Sequence, residues 1–391
     1  MPATAPAIDH SPRTSSFDPA EFAAPTGREE EWRFTPMDRL AGMHKDVAPD
    51  AAGLAVEFTS PAGVAVERVP MSDPRLGTAF APTDRVGALA WAASQDALVV
   101  SVPAEHRATA PVHVRLTGDG RPAYGHVRIE AGRFSEAVVV LEHLGDARYA
   151  ANVEIDVADG ARLTVVSLQS WASDAVHLSR QHASLGRDAN FRSVVVTLGG
   201  AVVRLLPTVD YRGPGGDAEF LGVFFADSGQ HLEHRVFVHH AEPHCRSYVS
   251  YKGALQGEGT HTVWVGDVLV RPTAVGVDTY ETNRNLLLSD GARADSVPNL
   301  ELETGELIGA GHASATGRFD DDQLFYLQSR GIPASVARAL VIRGFFAEVV
   351  DRIGDAAIAS AVMAAVDDRL RSSGLSVTDS AEIDVDAGAD E

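Results

Sequence analysis

From about residue 85 to 318 the sequence is a succession of short apolar runs that no long helical segment interrupts. VHVRLTG, HVRIEAG, EAVVVLEHLG, NVEIDVADG, RLTVVSLQS, FRSVVVTLGG, FLGVFFADSG and HTVWVGDVLVRP are rich in Val, Leu and Phe. Each is closed by Gly, Asp, Asn or Pro, and several alternate with period two, as strands do. A doubly wound parallel sheet needs long crossovers, usually helical, and these runs leave no room for them. The chain must pair its strands in another way.

The turns recur. DGARL, RDANF and GDAEF hold Ala161, Ala189 and Ala218 at nearly equal intervals, and DGARA holds Ala292 further on. A repeat of this kind made only of strands points to a solenoid, above all a β-helix, whose coils bury one another's inward side chains. A β-sandwich or jelly roll is the alternative. The core then spans 81–318. Residues 1–80 read as a lead-in rich in Pro, Ala and Ser, followed by a helix-like stretch over 17–45 centred on REEEWRFTPMDRLAGM. Residues 319–372 read as a helical domain, with Asp320 as an N-cap, Gly331 as a stop and Pro333 opening the next helix. There Val336, Leu340, Phe346 and Val350 are expected to share a buried face, and a third helix covers about 355–370. Residues 373–391 form an acidic tail expected to be solvated and disordered.

The formal net charge is −21, and the C-terminal stretch GLSVTDSAEIDVDAGADE is acidic without a single base, so binding to nucleic acid is not expected. No uninterrupted apolar run is long enough for a membrane helix, and the N-terminal MPATAPAIDHSPRTSSFDPAEFAAP lacks the pattern of a secretory signal. One cysteine permits no intramolecular disulfide and fits a reducing cytoplasm. The sequence contains no GxxxxGK[ST], GxGxxG between strand and helix, CxxC, GxSxG or HExxH.

HLEHRVFVHHAEPHCRS, residues 231–247, concentrates five histidines and the only cysteine. His234, His240 and His244 share parity and could line one strand face, with Cys245 beside them. A metal needs three or four ligands within about 2.0–2.3 Å, which one face of one strand does not supply. Two readings follow: a ladder of hydrogen-bonded imidazoles on a solenoid, or a metal-dependent enzyme on a solenoid or jelly roll. Cys245 has no recognisable base or oxyanion site around it in the sequence, so a buried thiol is expected.

RNLLLSDGARADSVPNLELETGELIGAGHASATGRFDDDQLFYLQSRGIP resembles the core of the SufB/SufD family of iron–sulfur cluster assembly scaffolds. HAEPHCRS and YKG upstream match too, and EWRFTP resembles the family's N-terminal element. The resemblance implies a right-handed parallel β-helix between helical regions, and a cytoplasmic complex with a SufB-type sister and the SufC ATPase. It implies docking on SufC through the C-terminal helices, at Phe325, Tyr326, Leu327, Arg330, Gly331 and Ile332. The position of the SufB ligand cysteine falls at Asn283, and Ala313 stands where SufB has Glu. Both departures favour a SufD-type, non-enzymatic scaffold. His312 matches the SufD histidine that faces the SufB site, so a transient cluster or iron shared with SufB is expected there, with no stably bound cofactor. A SufB-like homodimer, for which Cys245 would be essential, is the remaining alternative.

Overall fold

The computed structural model describes residues 14–45, 47–50, 53–227, 229–319 and 321–375. In chain order the elements are β1 (Leu54–Thr59), β2 (Ala65–Pro70), α1 (Arg85–Ala93), β3 (Asp96–Val102), β4 (Val112–Ala131), β5 (Glu136–Val157), β6 (Arg162–Trp171), β7 (Val176–Leu185), β8 (Asn190–Thr197), β9 (Val202–Tyr211), β10 (Asp217–Ala226), β11 (His231–His240), β12 (Arg246–Leu255), β13 (His261–Val270), β14 (Asp278–Leu287), β15 (Arg293–Leu302) and β16 (Gly309–Arg318), then α2 (Asp321–Gln328), α3 (Ala334–Val350) and α4 (Ala356–Ser372).

The fold is a parallel β-solenoid of about eight turns. From β5 onward each coil gives one strand to each of two facing sheets. Odd strands stack in the order β5-β7-β9-β11-β13-β15 and even strands as β6-β8-β10-β12-β14-β16. The long β5 joins them, its first half paired with β6 and its second with β7. A continuous apolar core fills the lumen, with Phe191, Phe220, Phe224, Tyr251 and Trp264 among its largest side chains. Large rings lie over glycines of the next coil: a Cβ at Gly222 would stand 2.1 Å from the Tyr251 ring, and one at Gly253 would stand 1.9 Å from the Phe224 ring.

Coil corners stack through backbone bonds. Asn190 N–H donates to the Ala161 carbonyl, Asp217 to Ala189, Arg246 to Gly216 and Asp278 to Cys245. The corner series is therefore Ala161, Ala189, Gly216 and Cys245. Ala218 lies inside β10 opposite Phe191, so the expected alanine repeat slips by two positions at its third member. Cys245 occupies a small-residue corner.

The two ends differ. At the N-terminal end β1 pairs antiparallel with β4, and β3 carries β2, which closes that side. At the other end β15 and β16 each pair on one side only.

Residues 17–45 do not form the expected helix. Only short 3-10 turns occur, at Pro19–Glu21 and Met37–Arg39. The segment instead straps the outer face of the odd sheet, with Trp32, Leu40 and Met43 packed on Val176, Leu178 and Val202. Arg204 stacks on Trp32 at 3.9 Å, and Thr35 Oγ1 donates to Glu233 at 2.7 Å. Contacts supplied from far along the chain set its path, not local helix propensity.

On the opposite face α3 and α4 pack against Val194, Val196, Leu221, Val223 and Phe225. Gly331 takes φ +83° after α2, and Pro333 sits at the N-cap of α3. Leu340 is 38% exposed, contrary to expectation. The buried stripe runs through Ala339, Ile342, Phe346, Val349 and Val350, and Leu340 lies one position, about 100°, off it. Asp320 and the tail from 376 lie outside the described residues.

Candidate functional site

Strand pairing settles where the sequence-selected residues go. On β11 the even-numbered side chains point into the lumen and the odd-numbered ones point out. His234 is fully buried, with Nε2 2.9 Å from Thr197 Oγ1 and its ring stacked on Phe224. His240 is also fully buried, 2.9 Å from Ser247 Oγ and stacked on Tyr211. Burial lowers both imidazoles to about 3, so they are neutral. Their separation along the strand is roughly 20 Å, and His244 lies past the strand in a turn, at φ +59°. They do not converge. Among the described residues no group of three or more His, Cys, Asp or Glu is placed to hold a metal ion. The histidine-rich strand is a ladder in which each imidazole has its own local partner.

Cys245 is fully buried in the lumen core, and burial pushes its thiol up to about 11. A protonated, enclosed thiol is a poor nucleophile and a poor metal ligand.

His312 is placed differently. It lies on β16, the last strand of the even sheet, opposite Glu281 of β14, which in turn lies opposite Val249 of β12. Val249 faces the lumen, so Glu281 and His312 line the same wall, one coil apart. The His312 side chain is 42% exposed because no further coil covers it. Small residues flank it, and Ser314 Oγ meets Ser296 Oγ across the lumen at 2.7 Å.

Here the lumen becomes polar. Asn283 is fully buried; its Nδ2 donates to the Tyr251 carbonyl, and its Oδ1 accepts from Asn285 at 2.8 Å. Glu281 is 1% exposed and lies 3.7 Å from His312 Nδ1. Burial, with Asp267 adding to it, raises its carboxyl to about 8, so the acid form predominates at neutral pH. Sequence reading missed Glu281. The available signal was its parity with Asn283 and Asn285 on one strand face. Around the rim Ile308 is 75% exposed, with Leu302 and Tyr280 both at 42%.

The docking candidates sit on and after α2. Phe325 and Tyr326 are 72% and 57% exposed, and Arg330 stacks on Tyr326 at 5.0 Å. Leu327 lines a shallow apolar hollow with Tyr326 and Val341, while Gly331 and Ile332 form the turn to α3. None of the helices among the described residues is long and apolar enough to cross a membrane.

The family model described as "SUF system FeS cluster assembly, SufBD core domain" matches residues 114–345. Proteins of Mycobacterium tuberculosis and Mycobacterium leprae described as iron–sulfur cluster assembly SufBD family proteins are 52% identical over 364 residues. Those matches cover 91% of this chain and 92% and 93% of the relatives. The iron–sulfur cluster assembly protein SufD of Escherichia coli K12 is 27% identical over 387 residues, 88% of this chain and 89% of that one. Mycobacterium bovis has a SufBD protein 52% identical over 364 residues and another that matches 200 residues at 29%, 23% of its length. The chain belongs to the SufBD family of the SUF iron–sulfur cluster assembly system.

Proposed function

We propose that this chain is the SufD-type, non-enzymatic scaffold of a cytoplasmic complex with a SufB-type sister and a SufC-type ATPase. It offers His312 where a nascent cluster assembles between sister chains. The observation that carries this reading is the placement of His312, a partly exposed imidazole on an edge strand paired on one side only, at the open end of the solenoid.

An edge strand presents unpaired backbone N–H and C=O groups, which natural proteins usually cover or use for pairing. Here β15 and β16 present two such edges beside exposed Ile308, Leu302 and Tyr280. A second chain of the same architecture, approaching end to end, would satisfy both edges and bury that rim. Two distinct SufBD proteins in one organism fit a pair of unlike sisters. The exposed Phe325 and Tyr326, with Leu327, Arg330, Gly331 and Ile332, form the surface that would receive the ATPase and couple its motion to the solenoid.

A SufB-like role is disfavoured because the only thiol is sealed inside a coil corner and held protonated. Sulfur would arrive through the sister, and this chain would help admit iron. The test is cluster reconstitution in the assembled complex, read by the cluster's visible absorbance. His312→Ala should leave the fold and the assembly intact while lowering cluster yield; an undiminished yield removes His312 from the mechanism.

A further inference from the structure

Glu281 is the one fully buried carboxyl that the fold does not explain. The other two among the described residues are satisfied. Glu154 accepts from Arg128 and from the Gly77 and Ala79 N–H groups, and Glu233 accepts from Arg204, Arg235 and Thr35. Among the described residues neither Glu281 oxygen has a hydrogen-bond partner within 3.5 Å, and the Asn299 backbone only partly offsets the effect of burial on its carboxyl. Its space is created by Gly266 on the facing sheet, where a Cβ would stand 2.3 Å from Oε2. Asn283 and Asn285 pair with each other, so they leave the carboxyl alone. A buried polar group without a partner calls for a specific cause, and here the cause lies toward the open end of the lumen.

What it faces there is His312. The 3.7 Å from Nδ1 to Oε1 is too long for a direct hydrogen bond. It is a separation that two donors sharing one ion can have. Donors each about 2.1 Å from a metal and this far apart subtend an angle of roughly 120°, near the tetrahedral range. An imidazole nitrogen with a carboxylate oxygen is a donor pair suited to ferrous iron.

We propose that Glu281 and His312 are the two ligands of a half-site for incoming ferrous iron. On binding the ion Glu281 releases its proton to solvent, so that its carboxylate binds from within the lumen and the imidazole from the edge strand, leaving the remaining positions open toward the end of the solenoid. This rests on the reading of His312 as the imidazole at the sister-chain interface, and it adds a second protein ligand beneath it. No third His, Cys, Asp or Glu converges on the pair among the described residues, so the other ligands must come from outside this chain or from solvent.

The test uses the full-length chain without partners, anaerobically, with Co2+ as the probe for ferrous iron and its ligand-field absorption as the readout. The parent should bind one Co2+ saturably. Glu281→Gln and His312→Ala should each weaken binding at least tenfold, and the double variant should lose less than the product of the two single losses, since both ligands serve one ion. Thermal unfolding of Glu281→Gln at or above the parent's temperature separates ligand loss from misfolding. Glu281→Met, apolar and of similar volume, replaces it if the amide disturbs the lumen. Binding unchanged within twofold in the Glu281 variants, no saturable binding by the parent, or losses that multiply in the double variant would overturn the half-site. Failure to co-assemble with a sister chain, with this binding intact, would overturn the interface reading and leave the half-site standing.

Discussion

Acidification should destabilise this protein steeply between pH 6.5 and 5, because its lumen holds neutral histidines. Burial lowers His143 to about 4, His234 and His240 to about 3, and His177 well below the ordinary imidazole value. In the unfolded chain each titrates near 6.5. A group whose folded pKa is depressed stabilises the fold above the unfolded pKa, and that stability is lost as pH falls toward the folded value. From pH 6.5 to 5 each histidine therefore removes about 1.7 kcal/mol. Glu281 acts in the opposite sense. Its folded pKa is raised to about 8, so it disfavours the fold at neutral pH and the penalty fades on acidification. Cancelling one histidine against it leaves a net loss of about 5 kcal/mol over this window, a large share of the roughly 5–15 kcal/mol typical of folded domains. Urea unfolding followed by circular dichroism at pH 7.5, 6.5, 5.5 and 5.0 measures the slope directly. His240→Gln should flatten it by about one proton. Stability constant within about 1 kcal/mol from pH 7 to 5 would refute the claim that these imidazoles stay neutral in the lumen.

Gly253→Ala places a methyl 1.9 Å from the Phe224 ring and should cost about 1–3 kcal/mol in urea unfolding, partly recovered by adding Phe224→Leu. Lys252, 3% exposed, donates from Nζ to the Phe345 carbonyl at 2.9 Å and lies over the Phe345 ring. Lys252→Met should therefore cost about 1.5–3 kcal/mol and let limited proteolysis release the C-terminal helices first. Cys245 should resist thiol reagents in the native state and react fully once unfolded, and Cys245→Ala should retain cluster assembly in the complex.

The solenoid was legible because strands closed by turn residues recur without crossover helices, and that rhythm does not depend on which coil pairs with which. Exact register was not. By spacing alone Ala218 continues the corner series, but the third coil is shorter, and the corner passes to Gly216 and Cys245. The fate of His234 and His240 also depended on register, since only the pairing of β11 with β9 and β13 shows that both enter the lumen. Glu281 was hidden by the same dependence. In DTYETNRN Tyr280 is 42% exposed while Glu281 is buried, the reverse of what the two side chains' own polarity favours. The N-terminal strap was illegible for another reason: Arg204 and Glu233, which fix it, lie several coils further along the chain. His312 was singled out through its motif, and what the sequence could not supply is its position on an uncovered edge beside an unsatisfied acid.

Hydrogen–deuterium exchange across residues 309–318, with and without the SufB-type sister, tests the central claim most directly. The free chain should exchange these edge-strand amides quickly, and adding the sister should slow them together with those of 293–302. Unchanged exchange in both segments, alongside protection elsewhere on the solenoid, would contradict pairing through the open end.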